Sequence, residues 1–219
     1  LMGKIPALGL FALSLWLSPV AGPSGGIAAL AAPVVPVAPV VRSLQETRQH
    51  NVVLQQWELS CAAAALATIL RYQYGIPVTE RSVALGLINR AEYIANPNLV
   101  RIRQGFSLLD LKRYVDSVGY DGVGLGQLEL PDLLERAPII VPVILQGYPH
   151  FVVFRGATAH EVLLADPAFG NITVSISKFM AGWIKYKDLA RVGFVVKKSG
   201  KLMPPGQLSA RAADFAVFR

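Results

Sequence analysis

The sequence predicts an α+β domain in which N-terminal helices pack on an antiparallel sheet. Three observations carry this. Runs with helical apolar spacing occupy much of the chain from Cys61 to Gly119. After Gly122 the character changes to short β-branched runs, Ile139 to Leu145, Phe151 to Phe154, Val162 to Ala165, Asn171 to Ile176 and Gly193 to Val196. Helices and strands thus fall in separate blocks, where a parallel α/β fold would alternate them. With 219 residues, 53% of them hydrophobic and 16% charged, the chain suits one domain with an ordinary core.

The apolar excess is concentrated at the front. Met2-Gly3-Lys4 is a basic start, Ile5 to Leu17 carries no charge, and Ala29-Leu30-Ala31 has the small-x-small form of a signal cleavage site. Residues 1–31 therefore read as a signal peptide directing export to the periplasm. The apolar segment is shorter than the roughly 20 residues a bilayer span needs. Because the gap to the cleavage site is long, an uncleaved inner-membrane anchor drawing on Gly25 to Ala32 is the alternative. Residues 32–43, with prolines at 33, 36 and 39, read as an extended Pro/Ala/Val-rich linker. The folded domain is assigned to 44–200, and 201–219 to an appended C-terminal tail. The sequence leaves oligomeric state open.

Within the domain, Ser43 to His50 is polar and peripheral. Val52 to Leu54 is a short strand or the lead into a site. A helix runs from Cys61 to about Tyr74 and stops at Gly75-Ile76-Pro77, with Ser60 as its expected cap. Thr79 to Ser82 opens a second helix and Ser107 a third, ending at Gly119. The stretch Tyr93 to Gly105, with Asn96-Pro97-Asn98 inside it, reads as a loop that could form a lid or site wall. Leu130 to Arg136 is a short helix. Pro142 lacks an N–H, so its strand is expected at a sheet edge or a bulge.

The single cysteine draws the chemistry together. Cys61 would stand in the first turn of its helix, where orphan N–H groups and the positive dipole end favour a thiolate. A lone thiol in an oxidising compartment is either buried or used. His150 begins a strand and Asp166, sixteen residues later, ends the next. A short hairpin would bring them together, so that Asp166 orients the imidazole that activates Cys61. Gln55 can offer its amide to a developing oxyanion beside the Cys61 N–H.

Gln55 through Cys61, the helix with Ala64, Leu66 and Ile69, His150-Phe151-Val152-Val153, and Val162 through Gly170 together resemble the peptidase C39 family. So do Ile176 to Phe179 and Trp183. The resemblance covers Gln49 to Val196. It implies a papain-like fold and a cysteine endopeptidase cutting after a Gly-Gly or other small-residue site. By that likeness Cys61 is the nucleophile, His150 the base and acid, Asp166 the orienting carboxylate and Gln55 the oxyanion donor; Gln56 is one position off. The family commonly has Asp before the cysteine and Gly after it, where this chain has Ser60 and Ala62. The chain carries no phosphate-binding Gly-Lys loop and no set of membrane spans. It therefore resembles stand-alone exported members, some of which accompany secretion machinery, including that of bacterial functional amyloids.

The partner implied is an exported peptide or protein, together with secretion or amyloid-assembly machinery. No cofactor is expected, and His50, His150 and His160 lack a metal-ligand cadence; His160 reads as a hairpin-turn residue. The net charge of +7 includes Lys197-Lys198-Lys201 and Arg101/Arg103, which lack the density of a nucleic-acid surface. They suit an acidic peptide or peripheral contact with a membrane. Two other functions stay open on the residues alone: a non-catalytic peptide-binding or chaperone-like domain, and a Cys-His-Asp amidase or acyltransferase.

Overall fold

The computed structural model describes residues 42–198 and 206–217. The signal-peptide, anchor and cleavage expectations, most of the linker and residues 199–205 of the domain–tail junction lie outside them. The helical block comprises α1 (Leu44–Gln49), α2 (Cys61–Tyr72), α3 (Glu80–Ile88), α4 (Ala91–Ala95), α5 (Leu99–Ile102) and α6 (Leu108–Ser117). The sheet block follows as β1 (Asp121–Leu125), α7 (Leu130–Arg136), β2 (Ile139–Val143), β3 (His150–Ala157), β4 (Glu161–Asp166) and β5 (Gly170–Ser175). After it come α8 (Ile176–Gly182), β6 (Lys185–Tyr186), β7 (Ala190–Arg191), β8 (Gly193–Lys197) and α9 (Ala212–Val217). The main sheet is antiparallel with strand order β1-β8-β2-β3-β4-β5. This is the α+β architecture expected, helices against an antiparallel sheet.

The inner strands read as nearly unbroken apolar runs because both faces of the sheet are covered. Ile140, Val153, Ala165, Phe194 and Val196 face a core built with α2, α3 and α6. Their neighbours Ile139, Val141, Val152, Phe154, Val162, Leu164 and Val195 face a second core closed by Leu133, Phe179 and Trp183. Helix α2 is buried from Cys61 through Leu70. A helix buried all round needs small side chains to approach its neighbours, and Ala62 to Ala65 with Ala67 supply them. Gly75 ends the helical run at φ +72°, with its N–H on the Arg71 carbonyl at 3.1 Å.

Four expectations change. Tyr93 to Gly105 is not a plain loop: it holds the end of α4 and all of α5, because buried Tyr93 donates its hydroxyl to Asp110 at 2.7 Å and pins the segment to α6. Pro142 lies in an interior strand. There β2 meets β8 only at Ile140 and Phe194; beyond that point Pro142 takes part as an acceptor alone, its carbonyl receiving the Ile184 N–H at 3.1 Å. Ser60 precedes α2 without capping it, since its hydroxyl is directed to the Trp57 carbonyl and the Glu80 carboxylate. The segment read as an appended tail is, over 206–217, seated on the sheet. Leu208 is fully buried, Phe215 packs on Leu163, and buried Arg155 donates to the Leu208 carbonyl at 2.9 Å.

Candidate active site

The β3–β4 hairpin turns at Thr158 to His160 and carries His150 at one end and Asp166 at the other. It delivers what the sixteen-residue spacing suggested: His150 Nε2 lies 2.8 Å from Asp166 Oδ1. Both are buried, at 7% and 1% exposure. The same Asp166 oxygen accepts the Ala168 N–H at 2.7 Å, an Asx-type turn that orients the carboxylate independently of the ring.

The turn is held from outside as well. The Gln55 N–H donates to the Pro167 carbonyl at 2.8 Å. Asn171, next in β5, donates to the carbonyls of Arg48 and His50 at 3.1 and 2.8 Å. Gly170 sits between them at φ +81°, where a Cβ would come within 2.5 Å of the Arg48 carbonyl oxygen. The peripheral N-terminal helix α1 is thus part of the support for the Asp166 turn.

Cys61 is the first residue of α2, so its N–H has no acceptor within the helix. The thiol is 9% exposed and shares a cleft of about 530 Å³ with His150. Residues 103–109 form one wall of that cleft; Ile184, Tyr186 and Leu189 contribute another. Burial disfavours the charged imidazole. The Asp166 hydrogen bond and the Cys61 side chain outweigh it, raising the His150 pKa to about 9. With Nε2 taken by Asp166, Nδ1 is the ring nitrogen left for the sulfur. An imidazolium beside a cysteine is the counter-ion of a thiolate nucleophile, so the arrangement suits attack on a carbonyl carbon.

Of the four residues singled out in the sequence, Cys61, His150 and Asp166 come together directly. Gln55 is tied to the Asp166 turn through its backbone. Its Nε2 donates weakly to the Trp57 carbonyl at 3.4 Å, and its Oε1 is buried with no hydrogen-bond partner among the described residues. Gln56 is exposed. Two further residues belong to the site. The Tyr148 ring meets His150 edge to face at 5.6 Å, and burial, then the charges of Asp166 and Cys61, raise its pKa. Glu80 accepts hydrogen bonds from the segment that leads into Cys61. The Gly147-Tyr148-Pro149 turn was a signal for the first; no local pattern marks the second. Among the described residues no cluster of three or more His, Cys, Asp or Glu could hold a metal ion, and no helix is long and apolar enough to cross a membrane.

Comparison with known proteins identifies the family and the fold. Over 200 residues the chain is 40% identical to the "Probable functional amyloid protease FapD" of Pseudomonas fluorescens, covering 88% of this chain and 84% of the relative. It is 38% identical to the protein of the same name from Pseudomonas aeruginosa, covering 78% and 74%. Among solved structures, a double glycine motif protease from an AMS/PCAT transporter, in complex with the leader peptide, superposes with a TM-score of 0.53 at 22% identity. That match covers 68% of this chain and 91% of the other. The peptidase domain of Streptococcus ComA superposes with a TM-score of 0.52 at 16% identity, covering 68% and 98%. At these identities the structures speak for the fold. The sequence profile of the peptidase C39 family matches residues 49–187. With the thiol and imidazole in one cleft, the chain belongs to the peptidase C39 family and is a cysteine peptidase.

Proposed function

We propose that the chain cuts an exported peptide or protein after a Gly-Gly or other small-residue site, with Cys61 as nucleophile, in support of secretion or extracellular amyloid assembly. The observation that carries the catalytic roles is the 2.8 Å contact of His150 with Asp166 in the cleft that holds the Cys61 thiol. Cys61 Sγ attacks the scissile carbonyl carbon; the S–C bond forms and the carbonyl oxygen takes the negative charge. His150 gives its proton to the leaving amine as the C–N bond breaks. Water then adds to the thioester, His150 takes its proton, and the carboxylate product leaves with the thiolate restored. Asp166 holds the ring in position and steadies its charge throughout. The Cys61 N–H and the Gln55 amide receive the oxyanion. To serve the oxyanion, the Gln55 Nε2 has to leave its weak 3.4 Å contact with the Trp57 carbonyl.

The substrate class is supported by the two Pseudomonas relatives named as functional amyloid proteases and by the fold shared with a double glycine motif protease. The test is incubation of the purified chain with a synthetic peptide carrying one internal Gly-Gly pair, read by mass spectrometry against Cys61→Ala. Cleavage after the second glycine, absent in the variant, supports the proposal; an uncut peptide overturns the Gly-Gly assignment. The site of action is inferred to be the periplasm, on the basic start, apolar core and Ala29-Leu30-Ala31. N-terminal mass analysis of periplasmic material should find a chain beginning near Ala32. An intact Lys4-containing chain in the inner-membrane fraction means an anchor.

A further inference from the structure

We propose that Glu80 is a positioning residue for the oxyanion-binding corner of the site. It is the first residue of α3, only 4% exposed, and it pairs with no cation among the described residues. Burying a carboxylate without a counter-ion is costly unless hydrogen bonds replace its water. Here they come from one short segment. The Gln56 N–H reaches both carboxylate oxygens, at 2.9 and 3.0 Å, and the Ser60 hydroxyl makes a short bond to one of them. The N-terminus of α3 adds its own favourable field.

That segment has Gln55 at one end and Cys61 at the other. Between them, Leu59 adopts φ +67°, a left-handed conformation that is unfavourable for a side-chain-bearing residue. Such a turn persists only where its surroundings hold it. Glu80 grips the residue after Gln55 and the residue before Cys61, so it sets the spacing of the two oxyanion donors while touching neither. The Pro167 carbonyl grips the same strand of chain from the Asp166 side, at the Gln55 N–H. Ser60 has one proton and two acceptors in reach, the Trp57 carbonyl at 2.7 Å and Glu80. The carboxylate draws it toward α3, and the Ser60 backbone, at φ −97° and ψ 8°, lacks the extended geometry of a capping residue.

This assignment rests on the reading of Gln55 as an oxyanion donor, and its test separates the two. Turnover of an acetylated Gly-Gly coumarylamide needs the oxyanion site. Alkylation of Cys61 by iodoacetamide needs only the sulfur and its imidazole. Glu80→Gln keeps the shape but replaces one acceptor oxygen by a donor facing the Gln56 N–H. It should lower kcat roughly 10- to 100-fold, the scale of a small misplacement of catalytic groups, while alkylation stays within about twofold. In a Gln55→Ala background the same substitution should cost less than about threefold, because one of the two donors whose spacing it sets is gone. Ser60→Ala, which removes one of the three bonds and leaves Glu80 intact, should show the same split more weakly, and stands in where Glu80→Gln folds poorly. Alkylation falling in step with turnover overturns the proposal, as do effects of Glu80→Gln and Gln55→Ala that simply multiply. Full turnover in Gln55→Ala alone overturns the Gln55 reading, and this one with it.

Discussion

His150 Nε2 and Asp166 Oδ1 meet at 2.8 Å across the ends of one β-hairpin, and that contact helps to raise the imidazole pKa. Desolvation alone would lower the imidazole pKa; the Asp166 bond and the neighbouring thiol raise it from 6.5 to about 9. The ring therefore stays protonated until about pH 9; with His150 in the proposed role of acid for the leaving amine, the alkaline limb of kcat/KM should fall there. Asp166→Asn keeps the shape, removes the charge, and should move that limb to lower pH while cutting kcat by on the order of 10²-fold or more. The stability sign follows the same shift. A group whose folded pKa is raised contributes fully below its unfolded value near 6.5, and the contribution is lost as pH rises through about 9. Between those values the parent's Tm should fall more steeply than that of Asp166→Asn.

Gly170→Ala tests whether α1 supports the catalytic turn. The new Cβ would stand 2.5 Å from the Arg48 carbonyl oxygen at a backbone φ of +81°. The expected cost is roughly 1–3 kcal/mol, with activity falling more than stability because the displaced turn carries Asp166. Thermal melts and kcat on the same preparation measure both.

The hairpin pairing of His150 with Asp166 was legible because it depends only on local quantities. Two strands of known length and a short turn leave little freedom for their outer ends. Helix α2 was legible for the same reason, its alanines following directly on Cys61. Features that depend on distant partners were not. Asn96-Pro97 and Gly105 look like a loop until Tyr93 is found bonded to Asp110. Pro142 looks like an edge residue unless the extent of β8 is known. Strand β1 was missed because Gly122 and Gly124 weaken its pattern. Gly122 is there for closeness: a Cβ would meet Val115, Lys112 and Phe194 within 2.6–2.8 Å. Ser60 has the chemistry of a cap, yet its hydroxyl is directed to Glu80, twenty residues on.

Leu208→Ala should show that the C-terminal segment is part of the folded unit. Leu208 is fully buried in the α2-side core, and its carbonyl accepts from buried Arg155. Emptying that site should cost about 2–5 kcal/mol. At roughly 2–4 °C per kcal/mol for a chain of this size, a Tm decrease of about 4–20 °C is expected. An unchanged melt would mean that 206–217 contributes nothing to the fold.

Whether His150 makes Cys61 a reactive nucleophile is tested, without a substrate, by the rate of Cys61 alkylation by iodoacetamide at neutral pH. The parent chain should react much faster than a small free thiol of ordinary pKa, and His150→Ala, folded by its circular dichroism, should lose that advantage. Slow labelling of the parent, unchanged by the histidine substitution, would contradict that role of His150 and leave a peptide-binding domain on the same fold.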